Sequence, residues 1–258
     1  MNPEAKMKDR LAKVTLLIII VVSFIYMMTL PLIRQNPAYH AFAANKLIWG
    51  IPNFADVISN IFFALFGLLG LRHCLKHRPA VGALSWRIFF LGVALVSLGS
   101  AWYHLWPANA TLVWDRLPMT IGFMGLFSAI LSEYVDSRLE KYILIPLLLA
   151  GFGSVIYWHY SNDLRFYYWI QLIPLLIIPF VLLLFKSAYT HQRFLLYALG
   201  FYLLAKISES QDRALYDFTG GFLSGHTLKH LLASLAPLML YLMIRRRSAR
   251  ETTTARSL

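Results

Sequence analysis

The sequence predicts an all-α fold, a polytopic transmembrane helical bundle. Three observations carry this. The chain has 258 residues, 59% of them hydrophobic and 14% charged, and its mean hydropathy of +0.60 is too high for a water-soluble domain of this size. Its apolar residues gather in unbroken runs of about 20, the length at which a helix crosses a bilayer. The runs do not alternate in polarity, as the roughly ten-residue strands of a membrane barrel do.

Eight apolar segments follow one another, at about 14–33, 56–75, 85–106, 118–134, 141–158, 169–188, 193–210 and 227–244. The first follows a basic stretch. Its run exceeds the usual ~7–15 residues of a signal-peptide core. Ala41-Phe42-Ala43 resembles a cleavage site, but the segment is read as a retained helix. The second opens at Asp56. The third closes on Ser100 and His104, among Trp102, Tyr103 and Trp106. The fourth follows Trp114 and Asp115, with Pro118 just inside it. The fifth and sixth carry no acidic residue, and their only Lys or Arg residues are Lys141 and Lys186 near their ends. The seventh closes on Glu209, with Asp212 just beyond. Gly220 and Gly221 read as a turn into the eighth, which begins at His226 and carries His230.

Net charge is +12. In a soluble protein this would suggest nucleic acid. Here the basic residues sit mostly in short loops, where they orient spans, so no nucleic-acid partner is expected. Seventeen of the 24 Lys and Arg residues fall in the N-terminal stretch, alternate loops and the tail, against seven elsewhere. The bias predicts an integral, multi-pass protein with both termini in the cytoplasm. Cys74 is the only cysteine, so no intrachain disulfide can form.

On this topology Ser100, His104, Asp115, Glu209, Asp212 and His226 all fall at one membrane face, the extracytoplasmic one. Ionisable groups at membrane depth are costly, and their default reading is functional. Residues four apart share a helix face, so His226 and His230 can give two ligands from one helix. A third from His104 makes a three-histidine site with an open position, the pattern of catalytic zinc. Asp115 could orient a water and accept its proton. Ser100 could donate to an oxyanion. Glu209 or Asp212 could hold a histidine's second ring nitrogen.

Each motif also has a plain structural reading. Ser100 could bond a neighbouring helix, His104 could belong to an interfacial aromatic belt, and Asp115 could cap a helix that carries Pro118. Lys229, about 100° from each adjacent histidine, is expected to snorkel or meet lipid phosphate. His40 has no partner at ligand spacing. The sequon Asn109-Ala-Thr111 lies close to the membrane and is read as unused. Convergence of the motifs on one face favours a site.

The ordered motifs S-x3-H (Ser100, His104), D-x-L-P-M (Asp115 to Met119) and H-x3-H (His226, His230) resemble the alkaline ceramidase family. That family belongs to a superfamily of membrane hydrolases that includes the adiponectin and progestin receptors. Asp56, Ser59 and Asn60 resemble its N-T-x-S-N motif, and Asp212 falls where it carries an aspartate in its penultimate span. The resemblance covers roughly residues 53–244. It implies a seven-helix hydrolase core around Zn2+, here with an extra N-terminal helix, and hydrolysis of a lipid amide such as ceramide. His104, His226 and His230 would be the ligands, Asp115 would serve the water and Ser100 the substrate or oxyanion. No acidic cluster precedes Asn53, so calcium is not expected. The stretch from Gly225 to His230 lacks the family's aromatic H-A-W-W-H character.

The expected organisation is a cytoplasmic N-terminus and extra helix (1–50), a ceramidase-like domain (51–245) and a basic tail (246–258). The expected function is a zinc-dependent amidase acting on a membrane lipid. The rivals are a non-catalytic or weakly catalytic zinc-containing lipid receptor or binding protein, and a haem-binding membrane protein.

Overall fold

The computed structural model describes residues 3–250. Eight long helices dominate them. They are α1 (Pro3–Thr29), α3 (Ile61–His77), α4 (Ala83–Leu105), α5 (Asn109–Tyr134), α6 (Leu139–Ser161), α7 (Arg165–Leu184), α8 (Arg193–Ser210) and α10 (Gly225–Arg246). Two short ones, α2 (Phe54–Ile58) and α9 (Asp212–Phe218), sit at the site end of the bundle. Among the described residues, seven helices are long and apolar enough to cross a membrane, counting α2 and α3 as one span. The protein is an all-α, multi-pass membrane bundle. The remaining expected span, α8, forms but carries Arg193, Lys206 and Glu209.

The helices run alternately up and down. The end of α4, the start of α5, the end of α8 and the start of α10 therefore share one end of the bundle. Pairing of α4 with α5 and of α8 with α10 makes the centre, with α3 against α4 and α6 against α5. The largest apolar cluster includes Trp86, Phe90, Met124, Ile130, Ile173 and Leu240. A second one, with Phe42, Tyr103, Leu112, Trp158 and Tyr167, packs beside the site.

Three boundaries differ from the sequence reading. α5 starts at Asn109 rather than near 118, so Asp115 lies nearly two turns inside the helix and is no N-cap. Leu112 is fully buried in the second cluster, so packing overrides the polar look of this stretch. Thr111 Oγ1 accepts from Ala108 N (3.1 Å) and donates to Trp106 O (2.5 Å), tying down the helix start. α1 begins at Pro3, its basic residues continuing the helix, and ends at Thr29. α7 lies at Arg165–Leu184, about four residues before its expected place.

α1 packs on α7. Arg165 ties its exit, donating to the carbonyls of Met28 and Leu30, both at 2.8 Å. The same guanidinium pairs with Asp163 at 2.8 Å and holds that carboxyl below the usual range by direct hydrogen bonding. At the opposite end of the bundle Arg247 and Glu133 form a buried pair at 2.6 Å, and Trp86 Nε1 donates to the same carboxylate at 2.7 Å.

Candidate metal centre

His104 stands in the last turn of α4, and His226 and His230 in the first turns of α10. All three are buried, at 0%, 4% and 3% exposure. Their ring centroids form a near-equilateral triangle with sides of 4.8, 5.0 and 4.9 Å. One nitrogen from each lies within 4.8 Å of the others.

One helix cap and two close approaches bring the rings together. Ser224 caps α10, its hydroxyl accepting from Thr227 N at 3.0 Å. Gly225 lets α10 approach α8 and α9, since a Cβ there would meet the Ser208 carbonyl and the Asp212 backbone. Gly99 does the same for α4 and α5, its absent side chain facing the Trp114 carbonyl. That contact sets Ser100 and Asp115 side by side, and their side chains interact.

The second layer differs from the expected one. Asp212 bonds backbone rather than a ring, accepting from His226 N (2.8 Å) and Ala43 N (2.9 Å). Glu209 accepts from Lys229 (3.0 Å), Lys206 and Tyr39 (3.0 Å). Burial, then the Glu209 charge, push the Tyr39 phenol well above its usual pKa, so it stays a neutral donor. The histidine brace comes instead from α2. His230 Nδ1 lies 2.8 Å from Ser59 Oγ and 3.1 Å from the Asp56 carbonyl. A carbonyl only accepts, so Nδ1 carries the proton and Nε2 keeps its lone pair. Asp56 Oδ1 accepts from Thr227 Oγ1 at 2.5 Å. Asn60 Nδ2 donates to the Asp56 carbonyl at 2.7 Å.

Lys229 does not snorkel. Its Nζ lies 3.0 Å from Glu209 and 2.9 Å from His226 Nε2. The partner that holds it stands 20 residues back on another helix, which helix periodicity does not reveal. The ammonium competes for any ligand use of that nitrogen. His40 bonds Tyr103 Oη (2.8 Å) and Asn109 Oδ1 (3.0 Å), so the sequon's Asn and Thr are both engaged.

Several wall residues escaped the sequence reading. Phe42 packs on His104 and His226, at 4.5 and 4.8 Å between ring centroids, so the Ala41–Ala43 stretch covers the triad. Asn53, in left-handed backbone, donates to the His104 carbonyl at 2.7 Å. Arg116 is buried beside Asp115, and its charge inside an apolar run was the available signal. A cavity of about 190 Å³ is lined by Ser100, Asp115, Arg116, Lys229 and His230 at one end. It continues to Phe89, Leu126 and Leu240. Ser100 and Phe89 are 11 residues apart on α4, so the cavity is roughly 16 Å deep at 1.5 Å per residue.

The family model for ceramidases matches residues 46–256. The chain belongs to the ceramidase family. No curated protein gave a significant match. Membership supports a ceramide-hydrolysing, amide-cleaving activity in general and a lipid substrate.

The triad of this ceramidase-family chain fits a metal ion. Both ring nitrogens of His104 are buried without a hydrogen-bond partner, and buried polar groups without partners call for a ligand. Three imidazoles suit zinc. At the usual ~2.0–2.1 Å from three ring nitrogens, zinc sets the ring centroids roughly 5 Å apart, and the observed triangle has that size.

Proposed function

We propose that this chain is a zinc-dependent integral-membrane amidase. It hydrolyses a lipid amide, ceramide or a related N-acyl sphingoid base, to a fatty acid and an amine. The observation that carries this reading is the histidine triangle, with its unpartnered His104 nitrogens, set against a deep cavity that His230, Ser100 and Asp115 line.

His104, His226 and His230 are the ligands. Bound there, zinc supplies Lewis acidity toward water and an amide carbonyl. Asp115 orients the attacking water, takes its proton and returns it to the leaving amine. Ser100 donates its hydroxyl proton toward the carbonyl oxygen as charge develops there. Ser59 and the Asp56 carbonyl hold the His230 ring, and Asp212 holds the backbone at His226. The apolar wall from Phe89 to Leu240 takes the acyl chain and excludes water. Both termini face the cytoplasm and the triad faces the extracytoplasmic side, so substrate enters from the outer leaflet. Residues 1–50 form an added element, 51–245 the catalytic bundle and 246–258 a basic cytoplasmic tail.

The test is metal analysis of purified protein with mass spectrometry of lipid amides after incubation. Wild type should carry close to one zinc per chain and release fatty acid from ceramide. His230→Ala should lose both. Asp115→Ala should keep the metal and lose roughly 10²–10⁴-fold in turnover. Full turnover by metal-free protein would overturn the reading. Lipid bound without product by metal-replete protein would favour a receptor.

A further inference from the structure

The connection from α1 to α2 carries a strap, residues 33–46, across the end of the bundle that holds the triad. All but the last of these residues precede the stretch that the family model matches. Bonds from several elements tie the strap down. Leu164 N donates to the Ile33 carbonyl at 2.8 Å, and Arg116 Nη2 donates to Gln35 Oε1 at 2.6 Å. Ala43 N donates to Asp212 at 2.9 Å, and Lys46 Nζ donates to the Gly221 carbonyl at 2.9 Å. The strap thus spans the site from α5 to the turn before α10.

Phe42 is the side chain that the strap sets against the triad. It is 5% exposed, and its ring lies 4.5 Å from that of His104 and 4.8 Å from that of His226. Asn36, Ala38, Ala41, Asn45 and Lys46 of the same strap are exposed, so water lies beyond it. His230 instead lines the cavity, with Ser100 and Asp115. The triad therefore has two sides. One opens past His230 into the apolar cavity, and the other is shut by Phe42. An apolar ring laid on metal-binding imidazoles controls the access of water to them.

We infer that Phe42 is a specificity-determining residue. It closes the triad against water at that end of the bundle, so an amide reaches the metal only from the apolar cavity. This rests on the amidase reading above and adds to it a means of refusing water-borne amides. The same ring governs the metal's own traffic. A hydrated dication is strongly disfavoured in an apolar passage, so zinc enters and leaves on the strap side, with Phe42 lifted. Burial of one phenylalanine side chain corresponds to roughly 10–100-fold in an equilibrium, and truncating it should favour the lifted strap by about that factor.

The experiment uses the full chain in lipid nanodiscs, as wild type, Phe42→Leu and Phe42→Ala. In metal-free protein, diethylpyrocarbonate labelling is read by mass spectrometry. Phe42→Ala should raise it roughly tenfold or more at His104 and His226, with His230 little changed and Phe42→Leu in between. An equal rise at all three would mean general loosening and overturn the inference, as would no rise at all. In zinc-loaded protein, Phe42→Ala should speed zinc uptake and zinc release to a water-soluble chelator by a similar factor, leaving Kd near its wild-type value. A weaker Kd with unchanged uptake would make Phe42 a structural prop and overturn the inference. Activity is compared on ceramide and on N-acetylserinol, which keeps the amide and two hydroxyls of ceramide but neither chain. Phe42→Ala should gain roughly tenfold or more in kcat/KM on N-acetylserinol and nothing on ceramide. Wild type that cleaves both equally well overturns the inference without any variant. If zinc-loaded wild type cleaves neither, the amidase reading fails, and labelling and zinc exchange decide the role of Phe42. Phe42→Leu carries the same readouts if Phe42→Ala does not fold.

Discussion

Ser59→Ala isolates the brace on His230. Ser59 Oγ donates to the Asp56 carbonyl at 3.0 Å, so it receives the His230 Nδ1 proton at 2.8 Å. Alanine removes that acceptor and leaves the Asp56 carbonyl at 3.1 Å. The tautomer survives while the ring orientation loosens. Loss of a partner behind a metal-bound histidine costs ~10–100-fold in affinity or activity. With one of two acceptors kept, the lower end applies, about tenfold or ~1.4 kcal/mol. Folding should suffer by only ~1 kcal/mol, because Asn60 Nδ2 still bonds the Asp56 carbonyl. Competition with a chromophoric chelator measures zinc affinity, and thermal unfolding in detergent measures stability. Unchanged zinc affinity in a folded Ser59→Ala protein would refute the assignment of His230 Nε2 as a ligand held through Nδ1.

Three further outcomes follow from the packing and the charges. Gly225→Ala should lower Tm and reduce zinc content together, since overpacking costs ~1–3 kcal/mol and the clash with Ser208 and Asp212 displaces the turn that carries His226; chelator competition and calorimetry read both. Lys229→Met should raise zinc affinity tenfold or more, because it removes a cation 2.9 Å from His226 Nε2 while Glu209 keeps Lys206 and Tyr39. Arg247→Ala should destabilise by ~3–5 kcal/mol, the cost of stranding one buried charge, with Glu133 the one left behind; activity per folded molecule should hold, as measured on detergent-purified protein.

Residues whose meaning is local were legible in the sequence. The four-residue spacing of His226 and His230 fixed their shared face, and the alternation of charged loops put the end of α4 and the start of α10 together. Asp56 and Ser59 were reached only through a family motif, because their partner His230 lies 171 residues from Ser59. Lys229 was misread for the same reason, its carboxylate coming from α8. The early start of α5 was hidden because Leu112, fully buried, and Val113, partly so, pack into the cluster of Tyr103 and Trp158, a contact between helices. Phe42 gave no signal at all, since only the path of the 30–45 segment carries it over the triad. Charges mid-span, such as Arg116, were visible as letters, but the bond from Arg116 to Gln35 was not.

The triad draws on two distant parts of the chain. During synthesis His104 emerges 122 residues before His226. At about 5–20 residues per second that is a delay of roughly 6–25 s. Through that interval the ribosome-bound protein holds a cavity wall and one histidine of the triad, with no means of closing a three-nitrogen site. On the proposed reading, metallation would wait until α10 has been delivered to the bilayer, and chains that lack α10 would be inert toward the lipids that surround them.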